Sequence, residues 1–228
     1  MPLEVCVNSV QDAAKAQAAG AGRIELCANL SRGGTTPEPQ EIRAARQLLK
    51  IPFRVMIRCR PDNFVYSSAE ISVMKEQVLF AKNAGADGIV FGALCKDGSV
   101  DTETLTSIVR AAAPLPVTFH RAFDECDNPY ASLHSIIACG CSTLLTSGLQ
   151  PYAWQGLSLI KNLQQQYGTK IEIMPGSGIT DSNAEEIICI TGVKWIHVSA
   201  RVDSANGKIM SEEMIRKISR LLSKLKNS

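Results

Sequence analysis

The chain has 228 residues, of which 45% are hydrophobic and 20% charged, a composition that excludes a wholly disordered protein. Its 24 Lys and Arg residues nearly balance its 22 Asp and Glu residues, and the formal charge of +2 gives no support for a nucleic-acid-binding or membrane-surface protein. The longest apolar runs, such as residues 89–94, are far shorter than a membrane span.

The N-terminal segment and the cysteines indicate a cellular compartment. The first eight residues have no basic start and Glu4 interrupts the apolar stretch, so we expect no secretory signal peptide. The eight cysteines are therefore interpreted as reduced thiols of a cytosolic protein. No Cys-x-x-Cys spacing occurs, which disfavours zinc-ribbon and thioredoxin-like sites.

Short β-rich segments alternate with helical patterns along the whole chain. Strands are predicted at residues 3–8, 23–27, 53–58, 88–91, 117–120, 143–146, 171–174 and 195–199. Helical patterns fill the intervals, for example at 69–84, 102–112, 129–139, 184–191 and 212–224. Asp101, Asn128 and Asp181 are expected to be N-caps.

A glycine recurs where a helical pattern ends and a β-rich run begins, at Gly20, Gly85, Gly140 and Gly192. Strict alternation of strand and helix implies a parallel sheet with right-handed crossovers. Eight repeats in this length predict an α/β fold, a (β/α)8 TIM barrel forming a single domain over residues 1–228. A doubly wound open sheet is the alternative.

The predicted strands alternate apolar and polar residues, although strands of a parallel sheet are usually apolar on both faces. The apolar set can pack under the helices while the polar set points into the barrel. Buried charges are costly unless paired, so this lining is either a structural ion-pair network or a ligand site at the C-terminal mouth. Residues that end strands favour a site: Cys27, Arg58, His120 and Ser199.

The strand ends carry candidates for acid–base chemistry and anion binding. His120, Arg121 and Asp124 would supply a proton carrier, an anion clamp and an orienting carboxylate, with a helix-entry cluster as the alternative. Arg58 and Arg60 suit a carboxylate or phosphate, with one buried ion pair and one solvated arginine as the alternative.

Glycine-rich backbone follows the seventh strand, where many such barrels hold a phosphate on exposed N–H groups. The candidate residues there are Gly176, Ser177 and Gly178, and Arg201 follows the eighth strand. Ser147, after the sixth strand, would add a donor.

Cys6 and Cys27 share the inward phase on adjacent predicted strands. Soft thiolates in low coordination suit Cu(I), so these two residues are candidate metal ligands. The alternative is that both are buried small hydrophobes, as cysteine often is.

Together these motifs resemble the CutC family of copper homeostasis proteins. The matching segments are residues 4–7, 23–27, 33–37, 55–58, 116–124, 145–148 and 174–180, of which 116–124 is the most specific. The resemblance implies a TIM barrel and a cytoplasmic copper-handling protein, with Cys6 and Cys27 at the positions proposed to hold Cu(I). Two departures are that Ser177 replaces a family glycine and that Asp62 and Asn63 stand in a loop that is glycine-rich in the family.

Three functions remain open at this point. The first is copper homeostasis with Cu(I) held by Cys6 and Cys27. The second is a barrel enzyme acting on a small anionic or phosphorylated metabolite, with Glu25 and His120 as acid–base groups assisted by Asp124. The third is a scaffold without a small ligand. A homodimer is expected by analogy with other barrels.

Overall fold

The computed structural model, which describes residues 2–204 and 207–226, is built from eight parallel strands that alternate with eight α-helices. The strands β1–β8 are Leu3–Val7, Arg23–Leu26, Phe53–Met56, Gly88–Phe91, Val117–Phe119, Thr143–Thr146, Glu172–Pro175 and Ile196–Val198. The helices α1–α8 are Val10–Ala18, Pro39–Leu48, Ser68–Asn83, Thr102–Ala112, Pro129–Ala138, Leu157–Tyr167, Ala184–Thr191 and Glu212–Lys226.

The strands form a nearly closed barrel. From β1 to β7 each strand pairs in parallel with the next one in the chain, and β1 also pairs with β8, so the order is β7-β6-β5-β4-β3-β2-β1-β8. Within the described residues no backbone ladder joins β7 to β8. At that seam the backbone of Gly176 lies so close to the His197 ring that a Cβ atom would come within 3.2 Å of it. The TIM-barrel prediction is confirmed, and the doubly wound alternative is wrong.

Local sequence signals explain where the helices end and begin. Gly20, Gly85, Gly140 and Gly192 all have positive φ angles, which confirms their predicted place after a helix. The side chains of the predicted caps Asp101 and Asn128 accept bonds from the first turns of α4 and α5.

The predicted cap at Asp181 is wrong. Helix α7 begins at Ala184, and its N-cap residue is Asn183, which lies two residues after Asp181. The Asp181 carboxylate instead lies 3.3 Å from Nζ of Lys217 on α8. That ion pair lies on the surface, where such contacts contribute little.

These two aspartates give a matched test of capping. Asp101→Ala removes the oxygen that accepts the Thr104 N–H at 2.9 Å, so we expect the free energy of unfolding to fall by about 1 kcal/mol. Asp181→Ala removes only a surface ion pair and should cost less than about 0.5 kcal/mol. Urea denaturation of both variants measures the difference, and equal effects would contradict the assignment.

A two-stranded antiparallel hairpin follows β8, formed by β9 (Arg201–Ser204) and β10 (Gly207–Met210). No strand was predicted from the sequence in this segment. The Asn206-Gly207 dipeptide is a sequence signal for a hairpin turn. The hairpin places Arg201 and Lys208 on the wall of the cavity at the barrel mouth.

The apolar face of each strand packs against the helices, as the alternation predicts. Leu3, Val5 and Ile24 are completely buried on that side. The opposite face points into the barrel and carries the polar residues described next. None of the helices in the described part of the chain is both long and apolar enough to cross a membrane.

Candidate functional site

Strand register brings the inward side chains of β8, β1 and β2 to common levels. Glu4 pairs in register with Arg23 on β2 and with His197 on β8, and one level higher Cys6 pairs with Glu25. Because side chains alternate along a strand, all five point into the barrel. They form two layers, a floor around Glu4 and an upper cluster around Cys6.

Glu4 is the centre of the floor. Its two carboxylate oxygens bind the Arg23 guanidinium and Nδ1 of His197, the latter at 2.8 Å. Arg23 also reaches across the barrel to Oε1 of Glu172 at 3.2 Å. Burial alone would raise the pKa of Glu4, but His197 and Arg23 lower it to about 2. Glu4 is therefore ionised at neutral pH, and its charge is compensated inside the barrel.

The floor continues through Arg54. Its guanidinium donates to the hydroxyls of Thr118 and of Thr143, the latter at 3.0 Å, and Thr143 in turn donates to Glu172. Burial lowers the pKa of Arg54, opposed by the charge of Glu4. Polar contacts thus link residues of seven of the eight barrel strands.

The remaining strand, β4, contributes a glycine at this level. A Cβ atom on Gly88 would lie 3.0 Å from Cγ of Arg54, so the missing side chain leaves the space through which Arg54 crosses the floor. This explains why β4 begins with glycine. The floor is the structural ion-pair network that was one of the two alternatives for the polar lining. Above it lies the upper cluster, which contains a polar atom without a hydrogen-bond partner.

Cys6, Glu25 and His197 form the upper cluster. One potential ligand atom from each lies within 4.8 Å of the other two, and all three residues are buried. Oε2 of Glu25 has no hydrogen-bond partner. Burial raises the pKa of Glu25 to about 7, partly offset by the charge of His197. Burial would lower the pKa of His197, but the nearby Cys6 and Glu25 groups and its bond to Glu4 raise it well above its usual value.

Cys27 lies beside this cluster and is not a member of it. It packs with Met56, Val90 and Leu30 inside the barrel, and its Sγ donates to the backbone oxygen of Val7 at 3.5 Å. Burial, reinforced by the nearby Cys6, raises the pKa of the Cys27 thiol, so Cys27 is protonated at neutral pH.

A cavity of about 1420 Å³ opens above the cluster at the C-terminal mouth. Cys6, Glu25 and His197 line it together with many of the residues singled out from the sequence: Arg58, His120, Arg121, Asp124, Ser177, Gly178 and Arg201. The convergence of polar strand ends on one chamber is therefore observed.

His120 is held in one orientation at the wall of this cavity. Its Nδ1 accepts the backbone N–H of Ala122 at 3.1 Å, and its Nε2 has no partner. Gly92 makes room for the ring, since a Cβ atom there would lie 2.5 Å from Nδ1. Burial and the nearby Arg58 lower the pKa of His120 to about 3, so the imidazole is neutral at pH 7.

Burial of a neutral histidine makes stability depend on pH. The unfolded chain binds a proton at His120 with a pKa near 6.5, whereas the folded protein does so only near 3. The contribution of neutral His120 to the free energy of unfolding is therefore fully present above pH 6.5, and it is lost as the pH falls from 6.5 towards 3. Between pH 7 and pH 5 the wild type should lose about 2 kcal/mol more than His120→Asn, which keeps an acceptor for Ala122. Urea titrations at the two pH values test this, and parallel losses would contradict it.

Arg58 and Arg60 are both engaged by the protein itself. The Arg58 guanidinium donates to the backbone oxygens of Gly33, Gly34, Pro61 and Asp62, which fixes the loops after β2 and β3. Arg60 binds the Glu70 carboxylate and the Val65 carbonyl. Their geometry makes them loop-holding residues.

Asp124 joins the loops after β5 and β6. It accepts bonds from Thr146 and Leu149 and from the backbone and side chain of Ser147. It also pairs with Arg121 at 2.7 Å, and Arg121 donates to Ser147 at 2.9 Å. This closed set holds the loop in place.

The glycine-rich loop after β7 is only partly available to a ligand. The N–H of Gly176 donates to the Thr146 carbonyl, and the Ser177 hydroxyl donates to the Pro151 carbonyl, so both serve the contact with the preceding loop. Gly178 lines the cavity with a positive φ of 68°. Ser177 has a φ of 79°, an uncommon conformation for a non-glycine residue.

His197 is the main residue that sequence reasoning missed as a site member. Its inward phase on the eighth strand was visible from the alternation with Ile196 and Val198. That inward orientation was the available signal. The sequence did not show the register in which β8 pairs with β1, and this register brings His197 to Glu4 and Cys6. Arg23 was missed for the same reason.

Comparisons with known proteins agree on one family. The model of the CutC family matches residues 1–202. The chain is 47% identical over 205 residues to a copper homeostasis protein cutC homolog from Mus musculus, covering 90% of this chain and 75% of that protein.

Solved structures show the same similarity. CutC from Streptococcus agalactiae superposes with a TM-score of 0.83 at 35% identity, covering 86% of this chain and 97% of that one. Thiamine phosphate pyrophosphorylase from Pyrococcus furiosus gives a TM-score of 0.66 at 17% identity, covering 98% and 96%, and shares the fold alone.

Proposed function

Because the chain belongs to the CutC family, we propose that it is a cytoplasmic copper-homeostasis protein that binds Cu(I) inside its TIM barrel. The observation that carries the proposal is the buried cluster of Cys6, Glu25 and His197, with ligand atoms within 4.8 Å of one another. Copper is the cargo of this site.

The donor set fits the ion. Cys6 supplies a sulfur and His197 an imidazole nitrogen, both of which suit Cu(I). Nδ1 of His197 is bound to Glu4, which leaves Nε2 for the metal. A carboxylate on the second nitrogen is the usual support of a metal-binding histidine. The unpartnered Oε2 of Glu25 supports the same interpretation, because a buried polar atom normally has a partner.

Cys27 supplies a second sulfur in this proposal. Its thiol is protonated and donates to the Val7 carbonyl, so binding requires the loss of that proton. Cys6 is therefore the primary ligand. Cys27 joins it when the ion is present.

Location and assembly are part of the proposal. All eight cysteines are free, which is consistent with a reducing cytoplasm. A homodimer is proposed by analogy with other barrels, and sedimentation equilibrium of the reduced protein tests it. A monomer at all concentrations would contradict the dimer alone.

Titration of the reduced protein with Cu(I) against a competing chelator tests the function. The double variant Cys6→Ser, Cys27→Ser should bind Cu(I) at least about 100-fold more weakly than the parent. Cys189→Ser, which changes an exposed thiol on α7, is the matched control and should bind as the parent does. Equal affinity of parent and double variant would overturn the proposal.

A cluster of Cys, His and Glu also suits Zn²⁺, so the identity of the metal needs its own measurement. Cu(I) relies on Cys6 and His197, whereas the hard Glu25 oxygen contributes mainly to Zn²⁺ binding. Glu25→Gln should therefore lower Zn²⁺ affinity more than Cu(I) affinity. If Glu25→Gln lowered Cu(I) affinity more than Zn²⁺ affinity, Glu25 would be a copper donor and this assignment of the ligands would be wrong.

A further inference from the structure

Unsatisfied polar atoms are concentrated at the barrel mouth. Across the described residues, four buried side-chain nitrogen or oxygen atoms have no hydrogen-bond partner, on Glu25, Arg58, Tyr66 and His120. Glu25, Arg58 and His120 line the same cavity. Because buried polar atoms are nearly always paired, such a concentration indicates a missing binding partner. The metal cluster accounts for Glu25 and leaves the unpaired atom of His120 unexplained.

His120 presents a defined donor to the cavity. Its Nδ1 accepts the Ala122 N–H, so in the neutral ring the proton is on Nε2. His120 is only 4% exposed, it lines the cavity, and Nε2 meets no acceptor of the protein. The position is thus built to donate one hydrogen bond to an oxygen atom of a ligand.

Arg201 supplies a positive charge to the same cavity. Arg201 is the first residue of β9 and lines the cavity. Among the described residues, its guanidinium has neither an ion pair nor a hydrogen bond. Arg58, Arg60 and Arg121 are all engaged by carbonyls or carboxylates of the protein. Of these four arginines, Arg201 is therefore the one that is available to a ligand.

Backbone donors lie at the same mouth. The N–H groups of Gly178, after β7, and of Ser199, after β8, donate to no described residue, and both residues line the cavity. Free N–H groups together with an unpaired guanidinium and a neutral N–H favour oxygen atoms that carry negative charge.

We propose that the mouth of the barrel binds a small molecule bearing an oxyanion, a carboxylate or a phosphate, between His120 and Arg201. One oxygen of the ligand accepts the hydrogen of His120 Nε2, and Arg201 balances the charge. The cavity of about 1420 Å³ is ample for a small metabolite. The site does not rest on the copper proposal, because neither His120 nor Arg201 belongs to the Cys6 cluster.

The test is nuclear magnetic resonance of the reduced, metal-free protein titrated with inorganic phosphate and, separately, with glycolate. We expect a saturable shift of the His120 imidazole 15N signal with at least one of these probes. Saturation with phosphate alone identifies a phosphate site, and saturation with glycolate alone a carboxylate site. His134, an exposed histidine on α5, should not shift in a saturable way. No saturable shift with either probe would overturn the proposal and indicate that the unpaired atoms bind water.

Variants of Arg201 and His120 separate the contacts that these two residues make with the ligand. Binding is followed by the NMR chemical shift of the Gly178 amide. Arg201→Gln should weaken binding at least tenfold, whereas Arg220→Gln, at an exposed position on α8, should leave it unchanged. His120→Asn keeps the acceptor for Ala122 and loses the distal donor, and His120→Gln keeps an N–H near Nε2. We therefore expect His120→Asn to bind the probe more weakly than His120→Gln does. Equal binding in Arg201→Gln and parent would contradict the site.

The copper and oxyanion sites are distinguished by the double variant Cys6→Ser, Cys27→Ser. It should lose Cu(I) binding and keep the response of Gly178 to the probe. Loss of both would contradict a separate oxyanion site, and retention of both would overturn the copper proposal alone.

Discussion

Cys6→Ser is expected to weaken Cu(I) binding by at least about 100-fold, and Cys27→Ser by about tenfold. The difference follows from position. Cys6 lies within 4.8 Å of both Glu25 and His197, whereas Cys27 is outside that group and its thiol is bound to Val7. Serine keeps the size of each side chain and replaces the soft sulfur by a hard oxygen that Cu(I) binds poorly.

The measurement is an anaerobic competition between each variant and a Cu(I) chelator. Cys141→Ser is a control for burial, because Cys141 is a buried thiol before β6, away from the mouth cavity. It should bind copper as the parent does. If Cys27→Ser lost more affinity than Cys6→Ser, the proposed order of the two ligands would be reversed.

Glu4→Ala is expected to lower the free energy of unfolding by about 3–5 kcal/mol at pH 7. Glu4 is completely buried and binds both Arg23 and His197. Its removal leaves two positively charged groups inside the barrel without their main counter-charge. Such a loss costs more than an ordinary cavity, because each remaining charge still pays for desolvation.

Urea denaturation gives the comparison, with Glu212→Ala as the surface control. Glu212 pairs with Arg216 on the exposed side of α8, so its loss should cost less than about 0.5 kcal/mol. A cost below about 1 kcal/mol for Glu4→Ala would contradict a floor held together by paired charges.

The barrel could be predicted from the sequence because its repeating signals are local. Helix-ending glycines, N-caps such as Asp101 and the alternation of residues along each strand are decided within a few positions of the chain. The same alternation predicted which side chains point inwards, and Glu25 and His120 do line the central cavity. The resemblance to the CutC family is confirmed by the matches to its members.

The partners of those side chains could not be predicted, because they depend on contacts across the barrel. Arg58 looks like an anion-binding residue in the sequence, yet it holds four carbonyls of two loops that lie far apart in the chain. His197 meets Cys6 only because β8 pairs with β1, and these residues are separated by most of the chain. Such distances follow from the register in which β8 pairs with β1, which no local pattern encodes.

X-ray absorption at the copper edge of the Cu(I)-loaded protein tests the central claim most directly. We predict a spectrum with both sulfur and nitrogen neighbours, from Cys6 and His197, in which Cys6→Ser loses sulfur and His197→Gln loses the imidazole signal. A spectrum that is unchanged in both variants would place the copper elsewhere and contradict a metal centre inside the barrel.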